Sequence, residues 1–88
     1  MPQPAVSENR ALNRFELTAD GLTAFLVYER TPGTLRLIHT EVPEDLRGRH
    51  VGEALVEAAL HAGRSEGLSI VAMCPFVRAY MRKHPPSA

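Results

Sequence analysis

Two tight turns between three short strand-like segments constrain the fold of this chain more than any other feature. Apolar and polar residues alternate over 14–18, the segment 22–30 is rich in Phe25, Val27 and Tyr28, and 35–42 is a third strand-like segment. The segments are separated by Ala19-Asp20-Gly21 and by Thr31-Pro32-Gly33-Thr34, whose glycine and proline are typical turn residues. Strand-like segments joined by turns this short predict three adjacent antiparallel strands, which form a meander.

The third of these segments carries a chemically active side chain, His39. In a regular strand, residues two apart share one face. We therefore expect Leu35, Leu37 and His39 to lie on the same, inward face, with His39 at the end of the strand.

After Pro43 the hydrophobic period changes from that of a strand to that of a helix. Apolar residues then recur at Val51, Leu55, Ala58 and Ala62. This spacing follows one helical face and predicts a helix over about 49–66, with Gly67 in the position that closes a helix.

The rest of the chain completes an α/β fold of order β-β-β-α-β-α. An apolar run over 68–73 predicts a short strand buried on both faces, and 76–84 predicts a final short helix. The fold class is thus an antiparallel β meander plus a β-α-β crossover, in which the last two strands run parallel. Residues 1–10, with two prolines and no period, are expected to form a loose tail, so that one domain spans 11–88.

Composition excludes several classes of function. Ten Lys and Arg balance ten Asp and Glu, which disfavours binding to nucleic acid through phosphate contacts. No apolar run approaches the ~20 residues of a membrane helix, and the first ten residues lack the apolar core of a signal peptide. One cysteine and four scattered histidines predict neither a disulfide nor a metal site. We expect a cytoplasmic protein without membrane contact.

The stretch from Val42 to Gly52, which opens the predicted helix, is the most informative part of the chain. It lies at the carboxyl end of a strand, where β-α-β units bind ligands. It carries Arg47, Gly48 and Arg49, and the free N–H groups of a helix start together with arginine suit a phosphate. It has neither the P-loop nor the dinucleotide-binding spacing. From the residues alone, a phosphate site and a solvated helix cap both stay open.

Residues 40–85 resemble the core of the GCN5-related N-acetyltransferase superfamily. Arg47-Gly48-Arg49-His50-Val51-Gly52 is similar to its pyrophosphate loop, Arg/Gln-x-x-Gly-x-Gly/Ala, with His50 where the loop often has a glycine. The ending Cys74 to Pro85 resembles, more specifically, the miniature YjdJ-type members. The resemblance implies an acyl-CoA N-acyltransferase-like fold, truncated because the superfamily's first helices are missing.

The resemblance also implies acetyl-CoA as co-substrate, without a metal. The pyrophosphate is expected on the N–H groups of 47–52 and the pantetheine along the strand edge at 40–42. The implied cofactor-binding residues are Thr40, Glu41, Val42, Arg47, Gly48, Arg49, His50, Val51 and Gly52. The acceptor is an amine of a small molecule or of a protein. The acceptor side is expected to be shallow or to be completed by another protein, and a homodimer is one way of completing it.

Three side chains are candidates for the chemistry. His39 is expected beside the thioester as the base that deprotonates the amine, with Glu41 as the alternative base. Cys74, between a strand end and a helix start, is either a nucleophile or a small buried residue. Tyr80 falls near the position where the superfamily often has a tyrosine that protonates the leaving thiolate. For each of them a purely structural role stays open.

The sequence therefore predicts a minimal acetyl-CoA-dependent N-acetyltransferase. Transfer is either direct or proceeds through an acetyl-Cys74 intermediate, and Pro75, which lacks a backbone N–H, favours the direct route. One alternative is a CoA-binding or interaction module with little or no catalysis. Another is a small α/β protein that binds no CoA.

Overall fold

A five-stranded sheet with helices packed on one face makes up the computed structural model, which describes residues 5–84. In chain order the elements are β1 (Ser7–Asn9), β2 (Arg14–Ala19), β3 (Leu22–Thr31), β4 (Thr34–Glu41), a 3-10 turn (Glu44–Leu46), α1 (Val51–Ser65), β5 (Ser69–Ala72) and α2 (Pro75–Lys83). The strands lie in the order β1-β2-β3-β4-β5, antiparallel up to β4 and parallel between β4 and β5. The predicted meander and β-α-β crossover are confirmed.

Strand β1 lies where the sequence predicts a loose tail, and that prediction is wrong for residues 7–9. Its backbone pairs with β2, and Glu8 accepts hydrogen bonds from the Tyr28 hydroxyl at 2.6 Å and from Arg30 at 2.7 Å. These partners lie about twenty residues away, and three residues are too few to carry a period of their own. Residues 1–4 of the predicted tail lie outside the described residues.

The core lies between α1 and one face of the sheet. The fully buried side chains include Leu17, Leu26, Leu35, Leu37, Leu55 and Val56. Helix α1 approaches β5 closely because it has a glycine at the crossing point, and a Cβ on Gly63 would lie 2.4 Å from the Cδ1 atom of Ile70. Burial of each large aliphatic side chain contributes roughly 1.5–3 kcal/mol, so this layer positions the strand ends firmly.

A β-bulge in β4 reverses the facing of its last residues. Val27 pairs with His39 and Tyr28 pairs with Leu37, which leaves Ile38 as an extra residue between them. An extra residue shifts the alternation of side chains by one. The prediction that His39 shares a face with Leu37 is therefore wrong.

Two neighbouring residues of β4, His39 and Thr40, consequently lie on opposite faces of the sheet. His39 lies beside Val27 on the outer face, by which we mean the sheet surface turned away from α1. Thr40 lies beside the buried Leu26 and faces the helices.

Strand β5 is covered on one face only, although its apolar run predicts burial on both. Val71 is 39% exposed on the outer face, and Met73, which follows the strand, is 46% exposed. The prediction is wrong because both helices pack on the core side, and an apolar run looks the same whether one face or both are covered. Among residues 5–84, no helix combines the length and the apolar character that crossing a membrane requires.

Candidate functional site

Strands β4 and β5 separate before β4 ends. Their last pair is Leu37 with Ala72, and the N–H groups of Met73 and Cys74 both donate to the carbonyl oxygen of Leu37, at 2.9 and 3.1 Å. Strand β4 continues to Glu41, so within the described residues 5–84 no strand pairs with 38–41 on the side of β5. The result is an opening in the sheet at the carboxyl ends of the two parallel strands.

A cavity of about 320 Å³ extends from this opening to the start of α1, within the usual size range of ligand pockets. It is lined by Thr40, Glu41, Val42, Arg47, Gly48, His50, Val51, Gly52, Glu53 and Phe76. The structure thus brings together all of the implied cofactor-binding residues except Arg49. It adds Glu53 and Phe76, which the sequence analysis missed.

Two left-handed residues turn the chain from the loop into α1. Gly48 has φ +81° and His50 has φ +61°. Glycine adopts this conformation freely, whereas histidine does so uncommonly. The imidazole Nδ1 of His50 lies 3.1 Å from a carboxylate oxygen of Glu53. His50 therefore reproduces a backbone shape suited to glycine and adds a titratable side chain at the cavity.

The two arginines of this loop have different surroundings. Arg47 lines the cavity and its Nε donates to the carbonyl of Val42 at 3.2 Å. Arg49 forms an ion pair of 2.7 Å with Asp20 in the turn between β2 and β3. Arg47 is thus available to a ligand in the cavity, whereas Arg49 ties the loop to the sheet.

Phe76 forms one wall of the cavity by packing on a glycine. A Cβ on Gly52 would lie 2.7 Å from the ring atom Cζ of Phe76, so only glycine permits this contact. The ring is 41% exposed and faces the start of α1. The signal in the sequence was an aromatic residue just after Cys74-Pro75, and such a residue is equally typical of a side chain buried in the core.

Cys74 is buried at the helix side of the opening, where its thiol donates to the Thr40 hydroxyl at a sulfur–oxygen distance of 3.7 Å. Burial raises the pKa of this thiol, but the N–H of Val77, the Thr40 hydroxyl and the N–H of Phe76 outweigh it, so the pKa is lowered. The expectation that Pro75 leaves Cys74 without a stabilising N–H is therefore wrong, because Phe76 and Val77, which follow Pro75, supply N–H groups to the sulfur.

His39 and Glu41 form a pair on the outer face. The Nε2 of His39 lies 3.0 Å from a carboxylate oxygen of Glu41, and both side chains are more than half exposed. A carboxylate in this position orients an imidazole and fixes its tautomer. The pair and Cys74 thus lie on opposite sides of the sheet, at the same opening.

Tyr80 lies in a neighbouring cavity between α1 and α2, and the structure does not bring it to the opening. Its hydroxyl donates to Glu57 at 2.9 Å, and its ring stacks on His84. Burial and the Glu57 carboxylate raise the pKa of Tyr80 to about 12. Over residues 5–84, no three His, Cys, Asp or Glu side chains are grouped to hold a metal ion.

Comparison with known proteins adds to this geometry. The model of a family described as GCN5-related N-acetyl-transferase matches residues 14–88, which include every residue of the cavity. A Xenopus tropicalis relative, called Protein NATD1, is 31% identical over 83 residues, covering 91% of this chain and 76% of that protein. Proteins of the same name from Mus musculus and Homo sapiens are also 31% identical, with 76% and 74% of their length covered.

Proposed function

Because this chain belongs to the GCN5-related N-acetyltransferase family, we propose that it binds acetyl-CoA and transfers the acetyl group to an amine. The observation that carries the proposal is one continuous cavity. It has a helix start suited to phosphate at one end and an opening between two parallel strands at the other. Acetyl-CoA matches these two ends, because its diphosphate is joined to a long arm that ends in the thioester.

The helix end of the cavity fits a diphosphate. The first N–H groups of an α-helix have no partner within the helix, and Val51, Gly52 and Glu53, the first residues of α1, line this cavity. Apart from its chain neighbours, no atom of residues 5–84 lies within 4 Å of the place that a Cβ on Gly48 would take, which leaves space above the loop for a ligand. Arg47 adds a guanidinium that can donate to phosphate oxygens.

The strand end of the cavity fits the pantetheine arm and the thioester. The arm can form hydrogen bonds along residues 40–42 as an added strand would, because β5 has already left this edge. The ring of Phe76 covers the arm from the helix side. The thioester then lies at the opening, near Thr40 and Cys74.

Transfer is direct in this proposal. His39, oriented by Glu41, accepts the proton of the amine on the outer side of the opening. The amine nitrogen bonds to the acetyl carbon, the carbon–sulfur bond breaks, and the sulfur keeps the electron pair. Tyr80 takes no part in the acetyl transfer, because its hydroxyl donates to Glu57 and holds α2 against α1. The lowered pKa of Cys74 supports acetyl-Cys74 as the alternative route.

Calorimetric titration tests the binding half of the proposal. We expect heat with acetyl-CoA and with CoA, and much weaker binding of pantetheine, which lacks the diphosphate. No heat with either CoA species would contradict the proposal. The transfer half is tested by release of CoA thiol with a panel of amines, and tight CoA binding without release would instead support the CoA-binding module.

A further inference from the structure

An exposed apolar strip borders the opening on the outer face. It consists of Ile38, Val71 and Met73, which are 37%, 39% and 46% exposed. The register of β4 and β5 makes these three side chains neighbours, since Val71 lies beside Arg36 and the next pair is Leu37 with Ala72. Clustered large apolar side chains on a surface mark an interaction site.

The free edge of β5 runs along this strip. Within the described part of the chain β5 is the last strand of the sheet, and β4 is its neighbour on one side only. The stretch from Leu68 to Cys74 carries no charged residue, although edge strands commonly carry charges that prevent pairing. Such an edge can accept an extended segment by main-chain hydrogen bonds that do not depend on its sequence.

The charge at the opening suits a cation. On the outer face Glu16 is paired with Arg14 and Glu29 is paired with Arg36. Over residues 5–84, the ion-pair partner of Glu41 is the imidazole of His39 and not a lysine or an arginine. Glu41 therefore keeps a negative charge that complements an ammonium group.

These observations point to one kind of acceptor. Resting on the acetyl transfer proposed above, we propose that the acceptor is the lysine side chain of an extended polypeptide segment that pairs with β5. The strip binds the side chains that flank the lysine, and Glu41 draws its ammonium group to the opening. The ammonium group first loses one proton to water, and the amine loses a second proton to the His39–Glu41 pair as its nitrogen bonds to the acetyl carbon. The carbon–sulfur bond breaks, and the thiolate of CoA keeps the electron pair and leaves on the helix side.

Two other occupants of this surface are less well matched. A small amine is usually enclosed by a concave site, and the three cavities described within residues 5–84 each include residues of α1 or α2, which cover the opposite face of the sheet. A second copy paired through β5 would cover the strip and block the outer mouth of the opening. Both remain outcomes of the test.

The experiment compares one reactive group with and without a flanking chain. CoA thiol release from acetyl-CoA is measured with nine-residue peptides that have blocked ends, a central lysine and varied flanks. Nα-acetyl-lysine amide, which carries the same amine, is measured in parallel. We expect the peptides to have at least a tenfold higher kcat/KM.

Val71→Lys tests the docking strand, with Leu12→Lys as the matched control. Leu12 is 56% exposed in the turn between β1 and β2, far from the opening. We expect Val71→Lys to raise the KM for peptides about tenfold, while calorimetry finds unchanged CoA binding. Leu12→Lys should change neither. Because both positions are exposed, circular dichroism should find both variants folded.

The outcomes separate the two proposals. Equal kcat/KM for Nα-acetyl-lysine amide and the peptides would overturn the polypeptide acceptor and leave acetyl transfer standing. A wild-type dimer that Val71→Lys dissociates in sedimentation would assign the edge to a second copy and also overturn it. Absence of thiol release with every amine would overturn both the acceptor and the transfer.

Discussion

At the scale of single residues, the two arginines before α1 form a matched pair for testing the phosphate site. Arg47 lines the cavity, whereas Arg49 is paired with Asp20. Arg47→Gln should weaken CoA binding about tenfold, because a hydrogen bond to a charged group contributes ~1.5 kcal/mol at the lower end of its range. Arg49→Gln should change the affinity less than about twofold, since an exposed ion pair contributes little. Calorimetry that finds equal losses in both variants would contradict this assignment.

At the scale of elements, β1 is attached both by backbone pairing with β2 and by the carboxylate of Glu8. The pKa of Glu8 is lowered: burial raises it, but hydrogen bonds from Tyr28 and Arg30 and the charges of Arg30 and Arg10 outweigh burial. Such a carboxylate stabilises the fold above its unfolded pKa, and the contribution is lost as the pH falls through the lower, folded value. The attachment of β1 should therefore weaken in acid.

Glu8→Gln tests that attachment by urea unfolding. We expect a loss of roughly 1 kcal/mol at pH 7, discounted for partial exposure, because Arg30 keeps its second partner, Glu66. The difference from wild type should narrow in acid, as the pH falls through the lowered pKa of Glu8. The control, Glu29→Gln, removes an exposed pair with Arg36 and should change the free energy of unfolding by less than about 0.5 kcal/mol. Equal effects of the two substitutions would contradict the role given to Glu8.

The bulge at Ile38 illustrates which part of an element the sequence does not determine locally. Period two predicts the strand itself, and the prediction holds over Leu35 and Leu37. The bulge depends on how β4 pairs with β3, and that pairing is a property of two strands. For this reason His39 could be predicted at the strand end but not on the correct face.

At the scale of the whole molecule, the elements from β2 to α2 and their order could be predicted because period and turn residues are local signals, whereas β1 was missed. The cavity could be predicted largely from one loop, since a helix start and a strand end must meet there. What depends on distant contacts could not be predicted: the partners of Glu8, the pairing of Arg49 with Asp20, the glycine beneath Phe76, and the bare outer face of β5.

The two-sided arrangement of the site makes a kinetic prediction. CoA is proposed to lie on the helix side and the acceptor on the outer side, so both can be bound together. Initial rates measured against both substrates should give intersecting double-reciprocal lines. Parallel lines, together with an acetyl mass on the protein that Cys74→Ser abolishes, would instead establish an acetyl-Cys74 intermediate.

The uncharged edge of β5 also affects the solubility of the protein. Backbone groups that accept one extended segment accept others without discrimination, which makes such an edge a nucleus for aggregation. The formal net charge of the chain is zero at pH 7, so electrostatic repulsion between copies is weak. The four residues of β5, Ser69–Ala72, therefore limit the concentration at which the protein stays dispersed. A segment bound along this edge should raise that concentration, because it pairs with the backbone groups that otherwise promote aggregation.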